Sequence, residues 1–116
     1  MRVSLKGTNT DLPSSTREYV DKKLVRTAER LLARNGEVII LEIEVGKATR
    51  HHRTGNIFRA EANLSIGKTL LRAEALGETL NEAIDLAEEE LEREIKQFKE
   101  RKRSLMLKGA RSLKRR

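Results

Sequence analysis

Apolar and polar residues alternate with a period that switches several times along the chain. Met1, Val3 and Leu5 interleave with Arg2, Ser4 and Lys6, a period of two that predicts a short strand with one buried face. Gly7-Thr8-Asn9-Thr10-Asp11 reads as a turn. Pro13, Ser14, Ser15 and Thr16 offer a helix entry, because proline fits the first helical turn. Over residues 14–34 the period becomes helical, with Val20, Leu24, Ala28 and Leu31 on one stripe. Asn35-Gly36 predicts its end.

A second strand is predicted from Glu37 to Val45. Ile39, Leu41, Ile43 and Val45 share one face, and Val38, Ile40, Glu42 and Glu44 the other. Gly46–Gly55 reads as a glycine-bounded loop, and Asn56–Ile66 as a third strand with Phe58, Ala60, Ala62, Leu64 and Ile66 inward. Gly67-Lys68 predicts a two-residue hairpin turn of type II′, with glycine in the first central position. Such a turn pairs Ile66 with Thr69, Leu64 with Leu71, Ala62 with Ala73 and Ala60 with Ala75. Every pair falls on one mostly apolar face, as a correct register requires. It also sets Glu61 opposite Glu74, mildly unfavourable, with Arg72 on the diagonal to relieve it.

Thr79 and Glu82 form a capping box for a second helix. Leu80, Ile84, Ala87, Leu91, Ile95 and Phe98 trace its stripe, Leu105 continues it, and Gly109 is a candidate stop. A helix over 80–108 would be roughly 43 Å long at ~1.5 Å per residue, so its end should project beyond a small sheet or fray.

The order is therefore β-α-β-β-β-α. The first crossover is expected to be right-handed, joining parallel strands, and the rest forms an antiparallel meander. The predicted fold class is α/β, specifically an α+β two-layer sandwich: a four-stranded mixed sheet with two helices on one face. The predicted organisation is one domain over residues 1–103 and a basic C-terminal tail over 104–116.

Charge sharpens this picture. The 116 residues carry 25 Lys+Arg and 18 Asp+Glu, a net charge of +7. Residues 99–116 hold nine basic residues and one acid, Glu100, so residues 1–98 have a net charge of −1. Around the first helix, at ~100° per residue, Lys22, Lys23, Arg26, Arg30 and Arg34 fill one arc beside the apolar stripe. Glu18, Asp21 and Glu29 occupy the opposite flank. The second helix is acidic in its first half and basic in its last turns, which suits the helix dipole. A near-neutral body with basic helix faces and a basic end points to nucleic acid as partner.

Other chemistry is not indicated. The chain has no cysteine, so neither a disulfide nor a thiolate metal site is available. No apolar run approaches the ~20 residues of a membrane span. The N-terminus lacks a signal peptide's apolar stretch, and the cytoplasm is the expected compartment. Gly67-Lys68-Thr69 imitates the end of a phosphate-binding loop, but position 62 is Ala and a strand follows. His51 and His52 are adjacent, a poor geometry for one metal. Glu88, Glu89 and Glu90 read as a solvated face. No enzyme, cofactor, metal or small-molecule substrate is expected.

The motifs are also familiar as a set. Gly7-Thr8-Asn9, Arg17-Glu18-Tyr19-Val20-Asp21-Lys22-Lys23-Leu24, Ala60-Glu61-Ala62-Asn63-Leu64, Leu71-Arg72-Ala73-Glu74-Ala75 and Ala83-Ile84-Asp85 resemble the ribosome hibernation-promoting factor family. That family includes the ribosome-associated inhibitor and the ribosomal subunit interface proteins. The resemblance covers about residues 1–103 and implies the same β-α-β-β-β-α fold. It implies binding to the small ribosomal subunit and its rRNA, in the mRNA and tRNA channel near the decoding centre, which silences idle ribosomes. It gives the RNA-contacting role to Lys22, Lys23, Arg26, Arg30 and Arg34, and to Arg93, Lys96, Lys99, Arg101, Lys102 and Arg103. Arg50 and Arg53 join them on charge alone. Long members continue into a ribosome-pairing domain, and this sequence resembles the short type, expected to be a monomer off the ribosome with no membrane partner.

With Phe58 and Phe98 assigned to the core, an aromatic stacking platform is not expected, and recognition should rest on shape and backbone. Two competing readings remain: a protein-interaction module using Val38, Ile40, Ile57 and Leu70 on the open sheet face, and a general double-stranded RNA-binding domain.

Overall fold

Period-two alternation yields four strands: β1 (Arg2–Thr8), β2 (Ile39–Ala48), β3 (Ile57–Ile66) and β4 (Thr69–Gly77). Helix α1 spans residues 14–31, and helix α2 (Leu80–Lys114) follows the sheet. The structure, a computed structural model, describes residues 1–48 and 57–114, the last five of these as backbone only. The sheet order is β1-β2-β3-β4, with β1 parallel to β2 and the other neighbours antiparallel. This is the mixed four-stranded sheet that the sequence predicts.

The hairpin register agrees residue for residue. Ile66 faces Thr69, Leu64 faces Leu71, Ala62 faces Ala73 and Ala60 faces Ala75. Gly67 takes φ +58° while Lys68 stays negative, the sign pattern of a type II′ turn. Glu61 faces Glu74, and the repulsion is relieved by arginines. Arg72 lies 3.4 Å from Glu61, and Arg59, which sequence reasoning passed over, binds both carboxylates. Hydrogen bonding from Arg59 holds the Glu74 carboxyl below the usual carboxylate range.

One face of the sheet is buried under both helices. Leu41, Ile43 and Val45 of β2, Ala60, Ala62, Leu64 and Ile66 of β3 and Leu71 and Ala73 of β4 form one core with Val20, Leu24 and Ala28 of α1 and Ile84, Leu91 and Ile95 of α2. The opposite face is polar at its centre. Its rows read Ser4, Glu42, Asn63, Arg72 and Lys6, Glu44, Glu61, Glu74 across the four strands. Val38 and Leu70 are exposed, and Val38 lies just outside β2.

Several expectations shift. The inner face of β1 is only partly covered: Val3 stays 44% exposed and Leu5 alone packs on the core. β1 is an edge strand, paired on one side only. β2 begins at Ile39 and runs through Gly46 to Ala48, so it absorbs the start of the expected loop. A Cβ at Gly46 would lie 1.9 Å from the Thr8 carbonyl oxygen, so only glycine lets β1 approach there. The remainder of that loop, with Arg50, His51, His52 and Arg53, lies outside the described residues.

Helix α1 is not uniform. Ser14–Val20 is α-helical, Asp21–Val25 forms a π-helical turn, and Arg26–Leu31 is α-helical again. The Arg26 N–H reaches the Asp21 carbonyl five residues back, which defines the π turn. The wider turn slows the angular drift along the helix. Residues at strict four-residue spacing, Val20, Leu24, Ala28 and Leu32, therefore stay buried together, and Leu31 is only partly buried. The helix ends at Leu31, so Arg34 sits in the following turn rather than on the helical arc. Gly36 does not take a left-handed conformation. Instead the Asn35 side chain accepts the Glu37 N–H at 2.9 Å.

Helix α2 starts as predicted, with the Glu82 N–H donating to the Thr79 hydroxyl at 3.0 Å. It passes Gly109 without stopping and is helical through Lys114, the last described residue. Its 35 residues span about 52 Å. Residues 99–109 are all exposed, so the basic end projects as a helix.

Candidate nucleic-acid interface

The strand directions decide how the helices lie. β4 runs parallel to β1 and β2 through two antiparallel steps. α1 and α2 each return against that direction, so they lie side by side and parallel. Contacts mark the alignment. The Tyr19 hydroxyl donates to Asp85 at 2.5 Å, the Thr27 hydroxyl donates to Glu88 at 2.9 Å, and the Lys99 ammonium donates to the Leu31 carbonyl at 2.9 Å. Parallel packing brings both C-terminal ends, and their basic residues, to one end of the molecule.

The N-terminal half of this seam is charge-paired. Lys23 lies 3.5 Å from Asp85 and 3.7 Å from Glu88, with its ammonium 5.6 Å from the Tyr19 ring centre. Glu88, with Tyr19 and Asp85 adding, holds the Lys23 ammonium above its ordinary value. The hydrogen bond to Asp85, with burial, pushes the Tyr19 hydroxyl above its own. Glu88 is thus a half-buried partner of Lys23 and Thr27 rather than part of a solvated face. Thr27 is 4% exposed and needs that acceptor.

The C-terminal half is different. Arg34 lines one groove with Lys99, Lys102 and Arg103 of α2, Arg30 stands near Glu92 and Lys96, and Arg101 lies on the opposite flank of α2. Lys96 pairs with Glu92 at 3.0 Å, and its hydrogen bond, helped by Arg30, keeps the Glu92 carboxyl below its usual range. Arg93 pairs with Glu90, and Lys102 lies 3.9 Å from Glu37. Lys99 donates to the Leu31 carbonyl at the end of α1, where its charge opposes the negative end of the helix dipole. Among the described residues, Arg30, Arg34, Arg101 and Arg103 at this end are exposed with no carboxylate within 4.0 Å, as are Lys108 further along α2 and Arg2, Lys6, Arg17, Lys22, Lys47 and Lys68 elsewhere.

The π turn also alters the basic arc. Asp21 lies 3.5 Å from Arg26, a spacing of five residues that a π turn stacks and an α-helix does not. The two flanks that the 100° wheel separates therefore touch at this point. What sequence reasoning missed is the seam itself. A signal for it exists: Tyr19, Lys23, Thr27 and Arg30 fall at helical spacing, and so do Asp85, Glu88 and Glu92, with complementary chemistry.

No cluster of three or more metal-ligating side chains occurs among the described residues, and none of the described helices is long and apolar enough to cross a membrane.

Fold and charge layout together define a small β-α-β-β-β-α domain with one basic end. The chain belongs to the sigma 54 modulation protein / S30EA ribosomal protein family, whose model matches residues 3–103. That is the ribosome-associated family to which the hibernation-promoting factors belong, as the sequence resemblance implies. Two solved structures are similar. The N-terminal domain of Protein Y from Thermus thermophilus is 29% identical with a TM-score of 0.67, covering 84% of this chain and 99% of that one. A ribosomal subunit interface protein from Coxiella burnetii is 20% identical with a TM-score of 0.64, covering 85% of this chain and 98% of that one, and shares the fold. Among curated proteins none matches significantly.

Proposed function

We propose that this protein is a ribosome-silencing plug: it binds rRNA of the small subunit in the mRNA and tRNA channel near the decoding centre. The observation that carries this reading is the parallel helix pair, which gathers exposed, unpaired arginines at one end of a near-neutral body. Each phosphate neutralised releases counterions, so binding strengthens with every basic group that reaches the backbone. Lys22, Arg30, Arg34, Arg101 and Arg103 make the direct contacts. Arg26, Arg93, Lys96 and Lys102 exchange weak surface ion pairs for phosphates, because exposed pairs of this kind are worth ~0–1 kcal/mol. Lys23 and Lys99 hold the helices in place. The protein acts by occupying space in a channel that other RNAs need, in the cytoplasm, without catalysis.

The test is inhibition of translation by the purified protein. The wild type is expected to inhibit, and the triple substitution Lys22→Glu, Arg26→Glu and Arg30→Glu is expected to abolish inhibition. Full inhibition by the triple variant would sink the proposal.

A further inference from the structure

The end of α1 and residues 98–106 of α2 border an open groove of about 390 Å³. Leu31, Leu32, Phe98 and Met106 form its apolar surface, and Arg34 and Arg103 stand on its rim. Leu32 and Phe98 are 5% and 8% exposed and close the floor, whereas Met106, 68% exposed, forms a wall on the projecting part of α2. One acid, Glu100, borders the groove against Lys99, Lys102 and the two arginines, so the rim is net positive. Lys99 is engaged with the Leu31 carbonyl and Lys102 lies 3.9 Å from Glu37, which leaves Arg34 and Arg103 for an incoming anion.

Apolar floor and cationic rim are the two halves of a nucleotide's chemistry. We infer that this groove seats one unpaired nucleotide of the bound RNA, its base against Met106 and the leucines and its phosphate at Arg34 and Arg103. The inference rests on the RNA-binding reading above and deepens it. The size agrees: small-ligand sites begin at about 300 Å³, so the groove holds a single nucleoside but not a stack. Pairing status follows from geometry. A base inside an A-form helix is covered by its neighbours and cannot reach an apolar floor, whereas a bulged or loop base can. A second copy of this chain is a poor occupant, since both rims would carry the same sign.

Fluorescence anisotropy with the full chain tests this on three RNA hairpins: one with a single bulged adenosine, one with an abasic bulge, and one fully paired. The bulged adenosine is expected to bind about fivefold more tightly than the abasic bulge, in line with burying one base face on an apolar surface. Met106→Gln, at an exposed position, should erase most of that preference and leave the other two affinities unchanged. Arg103→Gln should weaken all three. Equal binding of adenosine and abasic bulges would overturn the seat and leave the RNA reading standing. A preference that survives Met106→Gln would place the base elsewhere and overturn the seat as well. Binding to none of the RNAs or to ribosomal subunits would overturn both. Met106-dependent binding of an acidic, leucine-rich helical peptide, without any bulge preference, would overturn the seat in favour of a protein partner.

Discussion

The two halves of the helix seam use the same residue types for opposite ends. In the N-terminal half, Lys23 sits between Asp85 and Glu88, with Tyr19 and Thr27 completing the network. In the C-terminal half, Arg30, Arg34 and Arg103 have no acidic partner among the described residues. A lysine whose field is cancelled a few ångströms away presents little potential to a distant phosphate. An unpaired guanidinium presents its full charge and a donor fork suited to phosphate. Position on one helix face is thus a poor guide to function by itself. The charge that remains after the neighbouring helix is docked is the better guide.

The largest effect should come from attacking the unpaired half. Arg30→Glu, Arg34→Glu and Arg103→Glu together should lower affinity for small subunits by more than about 100-fold, since hydrogen bonds to charged groups are worth about 1.5–3 kcal/mol each. Thermal stability should hardly change, because all three side chains are exposed. Equilibrium binding and a thermal melt on the same preparation check both statements.

Attacking the paired half should reverse the balance. Lys23→Glu sets a third carboxylate beside Asp85 and Glu88, so the melting temperature should fall. Affinity at a temperature where the variant is folded should fall far less than in the triple variant. Charge-neutral Leu24→Ala provides the scale, because Leu24 is fully buried and such a truncation costs about 2–5 kcal/mol.

A gentler change separates the halves by pH. Tyr19 and Lys23 both hold their protons more tightly in the folded chain than at their ordinary values of 10.0 and 10.5. The folded state therefore binds more protons than the unfolded state as these groups titrate. Their stabilising contribution is complete below about pH 10 and is lost as pH rises through the raised values. Tyr19→Phe should remove the tyrosine share of that alkaline decline and lower stability at pH 7 by about 1 kcal/mol, the worth of one hydrogen bond. Melting curves from pH 7 to 11 check this.

Much of this fold was legible because local chemistry repeated the global answer. The Gly67-Lys68 turn, the alternation on both flanks and the apolar face all demanded one register, and that register is found. The π turn was not legible. Asp21–Val25 carries no residue that demands it, and its cause lies in packing, which keeps Val20, Leu24, Ala28 and Leu32 on the sheet. Gly109 misled because one glycine costs a helix only about 1 kcal/mol. For the site, sequence supplied the residue types and their helical faces. It could not supply the partners, since Lys23 meets Asp85 across 62 residues of chain and Lys99 meets Leu31 across 68. Only the strand directions, which make the helices parallel, bring these together.

The central claim is that unpaired basic groups at the joined helix ends hold ribosomal RNA. Co-sedimentation with purified small subunits across a salt series tests it most directly. For the wild type, log affinity should fall linearly with log salt, with a slope of about −0.7 to −0.9 per phosphate contact. Replacing Arg30, Arg34 and Arg103 by Gln should make that slope shallower by roughly 2–3, at three contacts removed. A complex that persists unchanged at ~0.5 M salt, or a slope that the three substitutions leave intact, would contradict the account.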